Sequence, residues 1–160
     1  MNYIVGRGGL ACEFETYFGP QYGRPSKFLE IHKTDSGKYD CRVFNNRYEA
    51  YDDGEEYKPN PKDTFLFGTG SKKVKKIWFE ALSEWFTPSK KHFPNRFAPG
   101  VILPPNIEFG YGNVIAHAIV TGDNKFGNFN FVNNGSFIAH NVEMGDYNFF
   151  GPNVQVCGWC

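Results

Sequence analysis

From residue 126 onward, large apolar side chains recur every six positions: Phe126, Val132, Ile138, Met144, Phe150 and Val156. The residues that follow them, Gly127, Asn133, Ala139, Gly145, Gly151 and Cys157, are mostly small. Compact residues, Asn130, Ser136, Val142, Asn148 and Val154, stand two before each later member. A six-residue period matches neither a helix nor an amphipathic strand. It predicts a parallel β-helix with three faces per coil, each large apolar residue stacked inward on its counterpart one coil away. Upstream, Ile107 and Ile115 continue the pattern less regularly, and TGDNK (121–125) reads as one residue short.

The first half follows other rules. NYIV (2–5) is a short apolar run that ends at Gly6, followed by the turn Gly6-Arg7-Gly8-Gly9. In LACEFETYF, Leu10, Phe14 and Tyr17 recur at helical spacing, so strand, glycine turn and helix predict a βα unit. A second unit follows: TFLF (64–67), the turn Gly68-Thr69-Gly70-Ser71, then KKVKKIWFEALSEWF, whose Val74, Ile77, Ala81, Leu82 and Trp85 share one face. KFLEI (27–31) reads as a middle strand. Residues 32–62 are polar and rich in turn signals, of which Ser36-Gly37 predicts a hairpin. The expected organisation is an α/β domain over 1–93 and a β-helix over 94–160, joined through HFPNRFAPG (92–100).

Charge sharpens this division. Residues 1–100 hold 16 of the 17 basic and 13 of the 17 acidic residues; residues 101–160 hold one and four, with ten Asn. The zero net charge argues against nonspecific nucleic-acid binding and against a polybasic membrane surface. With 41% hydrophobic residues, 18 Gly and 10 Pro, the 160-residue chain reads as ordered and turn-rich. No apolar run approaches the roughly 20 residues of a membrane span. MNYIVGRGG has no basic region leading into an apolar stretch, so no secretory signal is expected. Cys12, Cys41, Cys157 and Cys160 are too scattered for a disulfide scaffold. A soluble protein of a reducing cytoplasm is expected.

These stretches together resemble the hexapeptide-repeat sugar acyltransferases of the NeuD/PglD type. YIVGRGGLACE resembles that family's first strand, glycine turn and helix; FLFGTGSKKVKKI resembles its second nucleotide-sugar contact, and FPNRFAP its linker. VNNGSFIAHNVEMGDY resembles its active-site coil and is the most specific match. The resemblance implies a Rossmann-like nucleotide-sugar-binding domain followed by a left-handed parallel β-helix. It also implies acetyl-CoA as co-substrate, a nucleotide sugar (a UDP-amino-sugar is favoured) as acceptor, and a homotrimer. No metal is expected.

By the same resemblance His140 is the general base, taking a proton from the acceptor as it attacks a thioester, with no covalent enzyme intermediate. Asn133, seven residues earlier, stands where the family carries an active-site Asn; the other reading is a ladder Asn. Asn141 stands where the family usually has Asp or Glu, and an amide does not raise the basicity of the His electrostatically. Gly158 falls where the family offers a backbone N–H to the thioester carbonyl. Phe149 replaces a second His found in some members, and His117 matches no catalytic position of the family. Gly6, Gly8 and Gly9 would let a diphosphate approach a helix N-terminus. Gly68, Gly70, Ser71 and Lys72 form the second turn, where the helix dipole disfavours a cation unless an anion is near. Glu30 aligns with an acidic residue that meets uracil or ribose in the family.

Cys157-Gly158-Trp159-Cys160 is a CxxC pair without the following helix that redox chemistry needs. Residues 101–160 suffice for little more than three coils, whereas the family continues into coils that hold most of coenzyme A. Acetyl transfer to an amino or hydroxyl group of a nucleotide-activated sugar is therefore the expected activity. A catalytically incomplete nucleotide-sugar-binding or structural trimer is the alternative.

Overall fold

NYIV, KFLEI and TFLF form strands, as their apolar runs predict. In chain order the first half contains β1 (Asn2–Val5), α1 (Gly9–Phe18), β2 (Lys27–Lys33), β3 (Tyr39–Phe44), β4 (Glu55–Glu56), β5 (Thr64–Phe67) and α2 (Lys72–Ser83). The computed structural model describes residues 1–19 and 27–160, and they divide into two units, Met1–Phe93 and Pro94–Cys160. No helix among the described residues is long and apolar enough to cross a membrane.

In the first unit the sheet order is β4-β3-β2-β1-β5. β2, β1 and β5 run parallel, while β3 and β4 extend the sheet in antiparallel fashion. The predicted hairpin joins β2 to β3. Gly37 takes a φ of +83° in its turn, and its N–H donates to the Thr34 carbonyl at 2.9 Å. β1 lies between β2 and β5, so the chain leaves it in opposite directions across the sheet. Phe28, Leu29, Phe44 and Phe65 are fully buried on these strands.

Both helices bury a face rotated from the one expected, although Phe14, Ala81 and Leu82 are buried as expected. On α1 the buried residues are Ala11, Phe14 and Phe18, not Leu10 and Tyr17. A small residue is needed at position 11 because the backbone at Gly68 comes close: a Cβ added there would lie 2.7 Å from the Ala11 Cβ. On α2 the buried residues are Lys75, Trp78, Ala81 and Leu82; the helix ends at Ser83, and Trp85 is 42% exposed. Trp78 packs over the first glycine turn, where a Cβ at Gly6 would meet its ring at 2.7 Å. Burial pushes the Lys75 ammonium down to about 8, because desolvation disfavours the charged form.

The second unit is built from two-residue strands: β6 (Arg96–Phe97), β7 (Glu108–Phe109), β8 (Val114–Ile115), β9 (Ile119–Val120), β10 (Lys125–Phe126), β11 (Phe131–Val132), β12 (Phe137–Ile138), β13 (Glu143–Met144), β14 (Phe149–Phe150) and β15 (Gln155–Val156). All pair in parallel, as three faces: β7-β10-β13, β6-β8-β11-β14 and β9-β12-β15. The six-residue repeat thus fits the expected left-handed β-helix. Ile115, Val120, Phe126, Val132, Ile138 and Met144 form the buried column, with Phe109, Phe150 and Val156 packed at its ends. The short step lies elsewhere than expected. Val120 and Phe126 are regular neighbours, and the five-residue step runs from Ile115 to Val120. A tight turn at Ala116-His117-Ala118 absorbs it, with the Ala118 N–H donating to the Ala116 carbonyl at 2.7 Å. Phe109, in register with Phe126, takes the column position before Ile115, and Ile107 packs against the same core two residues earlier.

The compact residues two before each inward residue are side-chain ladders. Asn113 N donates to Asn95 Oδ1 (2.9 Å), Asn130 N to Asn113 Oδ1 (3.0 Å) and Asn148 N to Asn130 Oδ1 (2.8 Å), and each Nδ2 donates to the same oxygen. Val142 N donates to Asn124 Oδ1 and Val154 N to Ser136 Oγ at the other two corners. Asn113, Asn124, Asn130 and Ser136 are buried, so each carboxamide or hydroxyl must find such a partner. Asn130→Ala is expected to destabilise the fold by about 2–4 kcal/mol, because it leaves the Asn148 backbone N–H without its acceptor, removes one of the two donors to Asn113 Oδ1 and empties a buried site. Asn148→Ala, which removes one rung of a less buried residue, is expected to cost about 1 kcal/mol. Urea denaturation of the two variants checks the difference; equal costs would mean that the ladder carries no buried load.

Candidate active site

Each coil of the β-helix turns three corners, and from residue 123 onward a residue with φ between 56° and 70° stands at each. Asp123, Asn141 and Trp159, eighteen apart, form one such column with φ of 60°, 58° and 63°. His140 immediately precedes Asn141, with Gly122 and Gly158 at the equivalent places one coil before and one coil after.

Three contacts fix the exposed His140 ring. Its Nδ1 lies 2.8 Å from Asn141 Oδ1. An amide oxygen only accepts, so the neutral tautomer that this contact favours has the proton on Nδ1 and the lone pair on Nε2. Gly158 lies against the ring: a Cβ there would sit 3.1 Å from His140 Cε1, 3.3 Å from Nε2 and 3.0 Å from the His140 carbonyl oxygen. Trp159 packs edge to face on the imidazole with centroids 6.1 Å apart, and its N–H donates to the His140 carbonyl at 3.3 Å. The structure therefore brings His140, Asn141 and Gly158 together. It adds Trp159, which sequence reasoning passed over because its relation to His140 is visible only through the eighteen-residue coil.

Asn133 stands apart from this group. It is buried at the preceding corner, where its Oδ1 accepts the Asn134 N–H at 2.7 Å, and among the described residues no hydrogen bond joins it to His140. His117 occupies the short corner, its N–H held by Asn134 Oδ1 and its carbonyl by the Gly135 N–H. Phe149 is half-exposed and packs on Phe131.

The first unit gathers the other candidates at one end of its parallel strands. The turn after β1 and the turn after β5 lie side by side, because the Gly68 N–H donates to the Val5 carbonyl at 2.9 Å and the Gly6 N–H to the Leu29 carbonyl at 2.8 Å. Glu30 lies within β2, one residue past Leu29, the last residue of that strand to pair with β1. This is the carboxyl end of adjacent parallel strands at the point where the strand order reverses, the usual place for a ligand on such sheets. Gly6 needs its freedom, with a φ of +92° under Trp78. Around Gly8 and Gly9, at the start of α1, an added Cβ meets nothing within 4 Å. Ser71 caps α2, its Oγ accepting the Val74 N–H at 3.4 Å, and Lys72 is exposed in the first helical turn beyond Gly70.

Glu30 is already engaged. Arg7, from within the glycine turn, ion-pairs with it at 3.0 Å, donates to the Glu49 carbonyl at 2.6 Å and stacks over the Phe44 ring at 3.7 Å. His32 Nε2 approaches the same carboxylate at 3.6 Å. Glu30, His32, Lys33, Val74, Ile77 and Trp78 line a cleft of about 390 Å³ above Gly6. No group of His, Cys, Asp or Glu among the described residues is arranged to hold a metal ion.

No family model and no curated protein matches the chain, but solved structures do. The acetyltransferase domain of PglB from Neisseria gonorrhoeae FA1090, in complex with acetyl coenzyme A, superimposes with a TM-score of 0.67 at 15% identity, over 98% of this chain and 73% of that one. A mutant of perosamine N-acetyltransferase from Caulobacter crescentus, with CoA and GDP-perosamine, gives 0.70 at 15% identity over 98% and 71%. PerB from the same organism, also with CoA and GDP-perosamine, gives 0.66 at 16% identity over 94% and 68%. The chain shares the fold of these structures. The resemblance drawn from VNNGSFIAHNVEMGDY thus holds at the level of fold across nearly the whole sequence.

The Asn141 amide orients His140 but brings no charge to it. Asn141→Asp places a carboxylate beside Nδ1 and stabilises the imidazolium. The midpoint of the His140 C–H resonances in an NMR pH titration is expected to move to higher pH than in the parent chain. An unmoved midpoint would show that residue 141 does not face Nδ1.

Proposed function

We propose that the chain transfers acetyl from acetyl-CoA to an amino or hydroxyl group of a nucleotide-activated sugar, with His140 as general base. The observation that supports this best is the His140 imidazole, oriented by Asn141 against Gly158, in a fold shared with enzymes solved with CoA and GDP-perosamine. Nε2, with its lone pair free, takes the proton as the acceptor nitrogen or oxygen attacks the thioester carbonyl; the carbon–sulfur bond breaks and the thiolate leaves. The Gly158 backbone adjoins the imidazole, a suitable place for its N–H to meet the thioester oxygen. Asn133, engaged at its own corner, supports the coil that holds this site.

In this reading residues 1–93 form the Rossmann-like nucleotide-sugar-binding domain and residues 94–160 the left-handed β-helix acyltransferase domain. The diphosphate meets the open backbone of Gly8 and Gly9 and the Gly68–Lys72 turn. Lys72 supplies the charge that a helix N-terminus otherwise disfavours. The cleft above Gly6 takes the base, with the Arg7-bound Glu30 and His32 as its polar edge. The neighbours that carry a sugar nucleotide carry GDP-perosamine, so they favour a nucleotide sugar as a class rather than a UDP-sugar in particular.

Mass spectrometry of a panel of UDP- and GDP-amino-sugars incubated with acetyl-CoA tests the activity. His140→Ala is expected to lower kcat by about 10²–10⁴-fold while calorimetric binding of the nucleotide sugar persists. Turnover near that of the parent would remove His140 from the mechanism. Nucleotide-sugar binding without acetylation of any member would favour a catalytically incomplete binding module.

A homotrimer completes the proposal. Ile119 and Phe137 pair in register on the outer side of the β9-β12 face, yet are 63% and 38% exposed, an apolar strip suited to burial against a second chain. Phe137→Asp is expected to convert the trimer to monomer in sedimentation velocity at micromolar concentration. A parent chain that sediments as a monomer would end the trimer reading.

A further inference from the structure

At the end of the first sheet away from the glycine turns, a cavity of about 600 Å³ opens between the loop that leads into β5 and the chain that follows α2. Glu84, Trp85, Phe86, Lys91 and His92 line it, and none of them belongs to the sites described above. His92 is only 7% exposed, and its backbone is held on both sides: its N–H donates to the Ser89 carbonyl at 3.2 Å, and its carbonyl accepts the Phe65 N–H at 2.8 Å. The ring lies on Phe86, centroids 4.8 Å apart, with Nδ1 2.9 Å from the Asp63 carbonyl oxygen. A carbonyl only accepts, so the neutral tautomer that this contact favours has the proton on Nδ1 and the lone pair on Nε2. Nε2 therefore points away from Asp63 toward the cavity that the ring lines, and among the described residues no hydrogen bond reaches it.

The rest of the lining narrows the ligand. Trp85 is 42% exposed and packs on Tyr57, centroids 5.7 Å apart, while the Tyr57 hydroxyl donates to the buried Asp63 carboxylate at 2.8 Å. The indole is thus held in place as an open aromatic wall. Glu84 stands at the C-cap of α2, whose last turn holds no basic residue, so its carboxylate meets the negative end of the helix dipole. Among the described residues no ion pair balances Glu84 or Lys91. An inward lone pair, an unpaired carboxylate and an aromatic wall all favour a cation that carries N–H donors. An anion has Lys91 alone to set against them. A metal ion lacks a third ligand of the usual kinds, His, Cys, Asp or Glu, among the described residues. A guanidinium suits the set better than an ammonium, because it is planar: it stacks flat on an indole while its edge donors reach acceptors in its own plane.

We propose that this cavity binds a guanidinium group, stacked on Trp85 and donating to His92 Nε2 and the Glu84 carboxylate. The site is independent of the acetyl-transfer reading, since it uses other residues and is measured without turnover. The intact chain is titrated calorimetrically with L-arginine, N-acetyl-L-arginine amide, L-citrulline and tetramethylammonium, and the His92 C–H resonances are followed by NMR. Both arginine compounds are expected to bind and to move the His92 resonances. Citrulline, nearly the same shape without the charge, and tetramethylammonium, a cation without N–H donors, are each expected to bind at least about tenfold more weakly. Trp85→Ala and Glu84→Gln, both at exposed positions, are each expected to weaken the arginine compounds by about tenfold. Two sources of the group are told apart by Lys91. An advantage of free L-arginine over the blocked form that disappears in Lys91→Ala assigns the site to the free amino acid, whose carboxylate then meets that lysine. Equal binding of the two assigns it to an arginine side chain within a peptide.

No binding of either arginine compound would overturn the proposal, as would citrulline bound as tightly as arginine. Binding that survives unchanged in both Trp85→Ala and Glu84→Gln, or that leaves the His92 resonances unmoved, would place the ligand elsewhere and overturn it too. None of these outcomes bears on acetyl transfer, which is read at His140.

Discussion

A coil that turns three corners in eighteen residues leaves, at every corner, backbone N–H groups that no strand neighbour reaches. The fold of the second unit depends on how those amides are satisfied. The answer is a short polar side chain from the coil before: Asn95, Asn113 and Asn130 at one corner, Asn124 at the second and Ser136 at the third. Because all of these acceptors but Asn95 are buried, the bond is made at low dielectric and costs much to lose, which pins every coil to the one below. Apolar stacking alone tolerates a slip, since one large residue resembles the next. The ladder does not, because a slip by one residue leaves Asn113 or Asn130 buried without a partner. The inward column supplies most of the burial, and the ladder supplies the register.

This explains what was legible in the sequence. Phe126 to Val156 at six-residue steps announced the coil because burial there is decided by one position in six, and nothing else competes. The compact residues two before them were visible too, but as compact residues only; that Asn130 bonds to Asn113 needs the coil length first. The short step was misplaced because Ile107 is apolar and looked like an inward residue, whereas Phe109 takes that place and a turn of two alanines around His117 absorbs the deficit. Helix faces were read from large residues alone. On α1 the true face is set by the smallness of Ala11 against Gly68, and on α2 by Trp78 over Gly6. Close backbone approach leaves no periodic trace.

The same blindness governed the first candidate site. Glycines in GRGG and GTGS signalled two turns after strands, and the sheet sets them side by side. Arg7 between those glycines attracted no notice, yet it stacks on Phe44 and holds Glu30. A carboxylate paired in this way keeps its remaining acceptor sites oriented, and its charge is balanced before any ligand arrives. That suits recognition of a neutral, hydrogen-bonding base better than attraction of a cation. In the proposed nucleotide site the cation for a phosphate would be Lys72, which opens α2 at the other turn.

The place of His140 in the coil argues for its role independently of any resemblance. Residues 128, 134, 140, 146 and 152 occupy equivalent positions just before successive corner residues. At 128, 134 and 146 this position does structural work: Asp146 Oδ1 accepts the Asn128 N–H, Asn128 Oδ1 accepts the Tyr111 N–H, and Asn134 Oδ1 accepts the His117 N–H. At the corner of His140 the chain gives up that support. The equivalent residues before and after are Gly122 and Gly158, and the His140 side chain turns to Asn141 in its own coil rather than to a backbone amide of another. Gly158 leaves room against the ring that any larger residue would take. A fold that satisfies its corners with ladder side chains has one corner built of glycine, histidine and glycine, with an aromatic wall and a polar cavity beside it. Stability does not ask for that arrangement, since the ladder residue it omits is the cheaper solution twice over in the same coil. The proposed proton transfer at Nε2 would ask for it: the nitrogen must be oriented and open to solvent, and at this corner glycines stand at the equivalent places of the coils on either side.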